Sequence, residues 1–216
     1  MRLDSKSARR IATGQLNTAL TDARASSDKV HELVLTAKSI PHAKPSARMQ
    51  TLMNTNRASY GDFLIGDFWD NRTYTMLLFD VAESESPMRL SLLYETFNTR
   101  SGHRRSFCLA TITMHAMERL MERRENTALL AVAREEFDLA FVHQLIGFGK
   151  KQTDIWAGHE ARLVTRNGWA CGVFDPALHT FVVKTWIHEP GGHVKTSSAS
   201  AYNPRRVVQS ASASLV

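Results

Sequence analysis

The chain has 216 residues, enough to bury a full hydrophobic core, and 43% hydrophobic against 22% charged residues puts it among folded rather than disordered chains. Against 21 Asp and Glu stand 27 Lys and Arg, a formal +6 that is mostly arginine and favours a polyanion as partner, nucleic acid ahead of membrane. No 18-residue apolar run exists to span a bilayer, and no Cys/His spacing suggests zinc. Cys108 and Cys171 lie in strand-like apolar runs and read as buried free thiols, with a single disulfide as the alternative. The basic opening MRLDSKSARR leads into no apolar stretch of signal type, so the expected location is the cytoplasm, with signal-independent export leaving no trace.

Residues 1 to about 40 read as helical, with a second helix expected from Ser26, Ser27 and Asp28. Their apolar stripe (Ile11, Leu16, Leu20, then Val30, Leu33, Val34) is thin, so these helices must dock or stay mobile. Pro41 and Pro45 break the helical pattern into a linker. From Tyr60 the period falls to two. A strand is expected in DFLIGDFW, turned by Asp70-Asn71, and three more at 73–81, 88–96 and 106–113, separated by AESESP and NTRSGHR as in a β-meander. In the 88–96 strand Met88, Leu90, Leu92 and Tyr94 alternate with Arg89, Ser91 and Glu95, which predicts one buried and one wet face.

Two helices follow, one over roughly 114–124 and a long apolar one over roughly 128–146, ended by Gly147 and Gly149. Asn167-Gly168 then sits between two strand-like runs, and this pair supplies the two positive-φ residues of a type I′ hairpin. A last strand is expected at 180–187, and the Gly-, Ser- and Ala-rich residues 191–216 read as a flexible tail. The fold class is therefore α+β: an antiparallel sheet, meander plus C-terminal hairpin, packed by two central helices and preceded by a helical N-terminal extension. The expected divisions are 1–57 for the extension, 58–190 for the α+β domain (meander 60–112, helices 114–146, hairpin 160–187) and 191–216 for the tail.

The chemistry concentrates in the first central helix, MHAMERLMERR. With His115 set to zero on a helical wheel, Arg119 falls at about 40° and Arg123 at about 80°, with Glu122 and Glu118 at about −20° and −60°. Opposite them lie Met114, Ala116, Met117, Leu120 and Met121. Such a polar stripe is the ordinary wet side of an amphipathic helix, with an Arg119–Glu122 pair along it. Two details add a functional reading. His115 stands in the first turn, where the positive helix end favours neutral imidazole, and the same turn offers backbone N–H groups to an anion.

A strand running into HAMERLMERR, then a second helix, an Asn-Gly hairpin and a closing FVVKTWI strand resembles the small ribonuclease toxins of the RelE/barnase–EndoU–colicin group, over about residues 106–188. The resemblance implies His115 as base or acid, Arg119 and Arg123 on phosphate, and Lys184 or Thr185 completing the site. Alternation puts Thr185 with Phe181, Val183 and Ile187, and Lys184 with Val182 and Trp186, so only one set faces a cleft. Such an enzyme lets the RNA 2′-hydroxyl attack phosphorus, and it needs a base, an acid and cations but no metal or other cofactor. The second proton-transfer group is open between His159, His179 and His143. Trp186 or Trp169 would stack on a base, core packing being the plainer role for each.

The Lys150-Lys151 pair near GFGKKQT lacks phosphate-loop spacing, HEPGGH at 188–193 is only a loose metal pattern, and Asp62, Asp67, Asp70 and Asp80 form no carboxylate cluster. The expected function is a metal-independent endoribonuclease-like toxin domain with RNA as partner and an acidic neutralising protein beside it. The alternatives are a non-catalytic nucleic-acid-binding or partner-binding regulator of phage or plasmid type, and a structural or interaction protein whose helical N-terminal 40 residues dock a partner.

Overall fold

The computed structural model describes residues 3–19, 21, 45–70, 73–82, 88–98, 101, 103–124, 127–151 and 160–189. The second helix expected from Ser26, the Pro41 break, the turns at Asn71 and in AESESP, His159 and the tail at 191–216 lie outside the described residues.

Helix α1 covers residues 5–19, and α2 (Pro45–Tyr60) runs through a single 3-10 turn into the sheet. The strands are β1 (Leu64–Asp70), β2 (Thr73–Ala82), β3 (Arg89–Asn98) and β4 (Arg104–Ile112). Helices α3 (Met114–Arg124), α4 (Leu129–Glu136) and α5 (Leu139–Lys151) lead to β5 (Glu160–Thr165), β6 (Gly168–Asp175) and β7 (Thr180–His188). All seven strands form one sheet in the order β1-β2-β3-β4-β7-β6-β5. Neighbours are antiparallel except β4 and β7, which pair in parallel from Ala110–Phe181 to Ile112–Val183. The fold class is α+β, but the sheet is mixed where an antiparallel one was expected. The cause is topological: the three-helix crossover sends the chain to the far edge, so β7 returns to β4 in β4's own direction.

Pairing register assigns the faces. Leu77, Phe79, Leu90, Leu92, Ala110 and Ile112 point to the side of α3–α5, where a Cβ on Gly66 would touch Leu139. Tyr74, Met76, Leu78 and Glu95 point to the side of α2, whose Arg57 pairs with Asp67 through Nε and Nη2 at 2.9 and 2.8 Å. Both faces of β3 are consequently buried, Ser91 and Glu95 included, which corrects the expected wet face. Glu95 tolerates burial because Arg104 reaches both its oxygens, at 2.6 and 2.8 Å.

Three local expectations are also corrected. The apolar 128–146 stretch is two helices rather than one, because Asp138 breaks it and accepts hydrogen bonds from the Ala140 and Phe141 amides at 2.9 and 3.2 Å as an N-cap. Helix α5 runs on through Gly147 and Gly149 to Lys151. The hairpin forms at Arg166-Asn167, yet neither Asn167 nor Gly168 has positive φ. Glycine is needed at 168 for close approach instead: a Cβ there would lie 2.1 Å from the Ile187 carbonyl oxygen.

Helix α1 is part of this core. Ala8, Ala12, Leu16 and Ala19 form its buried stripe, with the expected Leu16 within it and Ile11 packed partly buried beside it, while Leu20 lies outside the described residues. Gln15 joins the start of α4, accepting from the Leu129 amide at 2.7 Å and donating to the Thr127 carbonyl. That stripe docks α1 on the rest of the fold. Among the described residues no helix is long and apolar enough to cross a membrane.

Candidate functional site

Helix α3 begins where β4 leaves the sheet, and its cap ties it to β7. The Thr113 amide donates to the Val183 carbonyl at 3.1 Å and its hydroxyl to the Lys184 carbonyl at 3.2 Å, while the same hydroxyl accepts from the Ala116 amide at 3.3 Å. At the other end of α3, Arg123 Nη1 donates to the Trp186 carbonyl at 2.7 Å. Carbonyls of β7 beyond the end of β4 are thus satisfied by side chains and the cap of α3.

A bulge decides the faces of the closing strand. Thr185 pairs with Cys171 and Val183 with Gly172, leaving Lys184 as the extra residue. Trp186 therefore joins Phe181 and Val183 on the buried face, and Thr185 moves to the other face with Ile187 and Val182. This corrects the alternation expected from sequence. Trp186 is fully buried, with its indole N–H on Thr165 Oγ1 at 2.9 Å, so it offers no surface for stacking a base. Lys184 is exposed and Thr185 half-buried. Trp169 is half-buried on the face of Thr185, its indole N–H donating to Glu189.

On α3 itself, His115 is 52% exposed, and its Nδ1 lies 3.7 Å from Glu118 Oε2. Glu118 is buried, its other oxygen taking a hydrogen bond from Arg9 Nε of α1. Arg119 is half exposed and pairs with Glu122 at 2.9 Å. The polar stripe is thus divided among three settings: Glu118 beneath α1, Arg123 against β7, and His115 with Arg119 open between them. His143 is exposed on α5 and His179 sits in the β6–β7 turn, and no hydrogen bond joins either to His115.

A second polar cluster lies behind α3, and the sequence reading missed it. Glu136, fully buried at the end of α4, accepts from Thr165 Oγ1 (3.0 Å), the Asn167 amide (2.9 Å) and Asn167 Nδ2 (2.7 Å). Arg124 Nε stands 3.3 Å from it at an angle too poor for a hydrogen bond, so that attraction is by charge, while Arg124 Nη2 pairs with Glu135 at 2.9 Å. Through Thr165 and Asn167 the cluster reaches Trp186 and His188, whose Nδ1 is 3.1 Å from the Asn167 carbonyl. The available signal was a carboxylate in the last turn of an apolar helix, where the negative helix end opposes it and compensation is required.

Cys108 and Cys171 are both free and half-buried; burial first of all raises the Cys171 thiol, which suits an unreactive side chain. Among the described residues no His, Cys, Asp or Glu group is arranged to hold a metal ion. No family model, curated protein or solved structure matches this chain.

Proposed function

We propose that the open strip between α1 and β7 is an RNA-facing site, and that the chain is a metal-independent endoribonuclease-like toxin domain in which His115 moves the proton. One observation carries this reading: His115 is half exposed while its Nδ1 faces a buried carboxylate, an arrangement that leaves Nε2 for a substrate hydroxyl. Arg119, one turn along α3 from His115, and the exposed Lys184, whose backbone meets Thr113 at the start of α3, are cations suited to phosphate oxygens. Thr185 turns to the opposite face of the sheet from α3 and drops out of the expected site. Arg123 contributes by fixing β7 against α3. A basic chain of this kind would be neutralised by an acidic protein.

The test is incubation of purified protein with RNA in EDTA. Cleavage leaving 2′,3′-cyclic phosphate ends, reduced on the order of 100- to 10,000-fold in His115→Ala with the fold retained, is the expected result. Cleavage unchanged in His115→Ala overturns the assignment.

A second reading is a non-catalytic nucleic-acid-binding regulator on the same strip. It is favoured by the commitment of Arg123 and Trp186 to structure and, among the described residues, by the lack of a second imidazole bonded near His115. RNA binding that survives His115→Ala, weakens in Arg119→Ala and Lys184→Ala, and yields no cleavage selects it.

A further inference from the structure

We infer that Glu118 is a positioning residue for His115, held for that task by Arg9 of α1. The inference rests on the proposed use of His115, but its structural half stands apart from catalysis. Glu118 is buried on the border of the apolar arc of α3, one turn after Met114, and its two oxygens have different neighbours. Oε1 takes the Arg9 Nε–H, and Oε2 lies 3.7 Å from His115 Nδ1.

A carboxylate beneath a protein surface is costly unless paired, and Arg9 supplies the pairing charge. With Oε1 fixed, Oε2 has a defined direction, toward the imidazole. A small closure of that gap makes Nδ1–H the donor and leaves Nε2 as the bare, basic nitrogen pointing to solvent. Arg119, on the next turn of the same strip, is tied to Glu122 and does not compete for Glu118.

Helix α1 is thereby more than a brace. Its buried stripe of Ala8, Ala12, Leu16 and Ala19 sets the height at which Arg9 meets Glu118, so a segment far away in sequence fixes the tautomer of the His115 ring.

The experiment reads the ring nitrogens of His115 by 15N NMR in the full chain without RNA, and then RNA cleavage. Wild type is expected to hold the Nδ1–H tautomer. Glu118→Ala should return the ring to a tautomer mixture, and Glu118→Gln, which keeps an acceptor oxygen, should retain the preference. Where Glu118→Ala fails to fold, Arg9→Ala takes its place, with partial loss of the preference expected. In cleavage, Glu118→Ala should lower kcat about 10- to 100-fold with KM little changed. An unchanged tautomer in Glu118→Ala, or in Arg9→Ala where Glu118→Ala does not fold, overturns the inference. A tautomer change in a protein that cuts no RNA upholds the positioning and discards the ribonuclease reading alone.

Discussion

Glu136 and Glu118 are both buried carboxylates on neighbouring helices of one core, yet their surroundings differ. Glu136 receives three hydrogen bonds from the β5–β6 hairpin and the charge of Arg124, is itself fully buried, and is joined through Thr165 to the buried Trp186. Glu118 has one firm partner, and its second oxygen faces an exposed histidine. A saturated carboxylate fixes a fold; one left with an oxygen near an open imidazole can act on that imidazole. The difference separates a fastening from a working part, although both residues read as plain Glu in a helix.

The largest expected effect breaks the fastening. Glu136→Ala leaves the Thr165 hydroxyl and two Asn167 donors without their acceptor and takes a neutralising charge from beside Arg124, and should cost about 3–5 kcal/mol in chemical denaturation, with loss of hairpin amide protection in hydrogen exchange. A cost under about 1 kcal/mol would show that the cluster is not holding the hairpin.

A third buried carboxylate, Glu95, extends the comparison across the sheet. Near it the Tyr60 hydroxyl is pushed up to about 12, first by burial, then by the Glu95 charge, with Arg104 opposing. The unfolded value is 10.0, so between pH 10 and about 12 the folded chain holds the proton that the unfolded chain has released. Stability is therefore full below pH 10 and falls as pH rises through that window, by about 2–3 kcal/mol. Tyr60→Phe should flatten that portion of the pH curve, measured by urea unfolding at stepped pH. The buried Tyr74 is also raised, by burial first, so some decline persists.

Thr165→Val tests the cluster from the hairpin side. It takes the acceptor from the Trp186 indole and a donor from Glu136 while keeping shape, and about 1–3 kcal/mol should be lost. Indole N–H exchange of Trp186 is the specific reading, and no change in that exchange would remove Thr165 from the account.

What the sequence made legible follows the same division. Strand positions and the hairpin were readable because two-fold alternation and Asn-Gly are local signals. The reason attached to Asn-Gly was not: Asn167 serves through its amide on Glu136, and Gly168 through its closeness to Ile187. The split at Asp138 was hidden by the apolar residues around a single capping side chain. On α3, while Arg124 falls opposite them, the wheel placed His115, Glu118, Arg119, Glu122 and Arg123 on one side. Those at its borders, Glu118 and Arg123, were the ones claimed by α1 and β7, contacts of long sequence separation that no local pattern carries. The Lys184 bulge is of the same kind. It reversed which residues of β7 face the core, and so buried Trp186, because one inserted residue overrides alternation from there on.

The smallest expected effect sharpens the comparison most. His115 is 52% exposed, so His115→Ala is expected within about 1 kcal/mol of wild type. Arg9 is itself 64% exposed but its partner Glu118 is buried, so Arg9→Ala should cost somewhat more, about 1–2 kcal/mol, still well short of Glu136→Ala. Function should move in the opposite sense, with His115→Ala abolishing RNA cleavage and Arg9→Ala lowering it with only a modest shift in melting temperature. Glu136→Ala supplies the mirror case, large in stability, with cleavage per folded molecule retained at temperatures where it stays folded. Were Arg9→Ala instead to cost as much stability as Glu136→Ala, Glu118 would be a second fastening. The strip on α3 would then be an ordinary wet helix face, whatever its arginines.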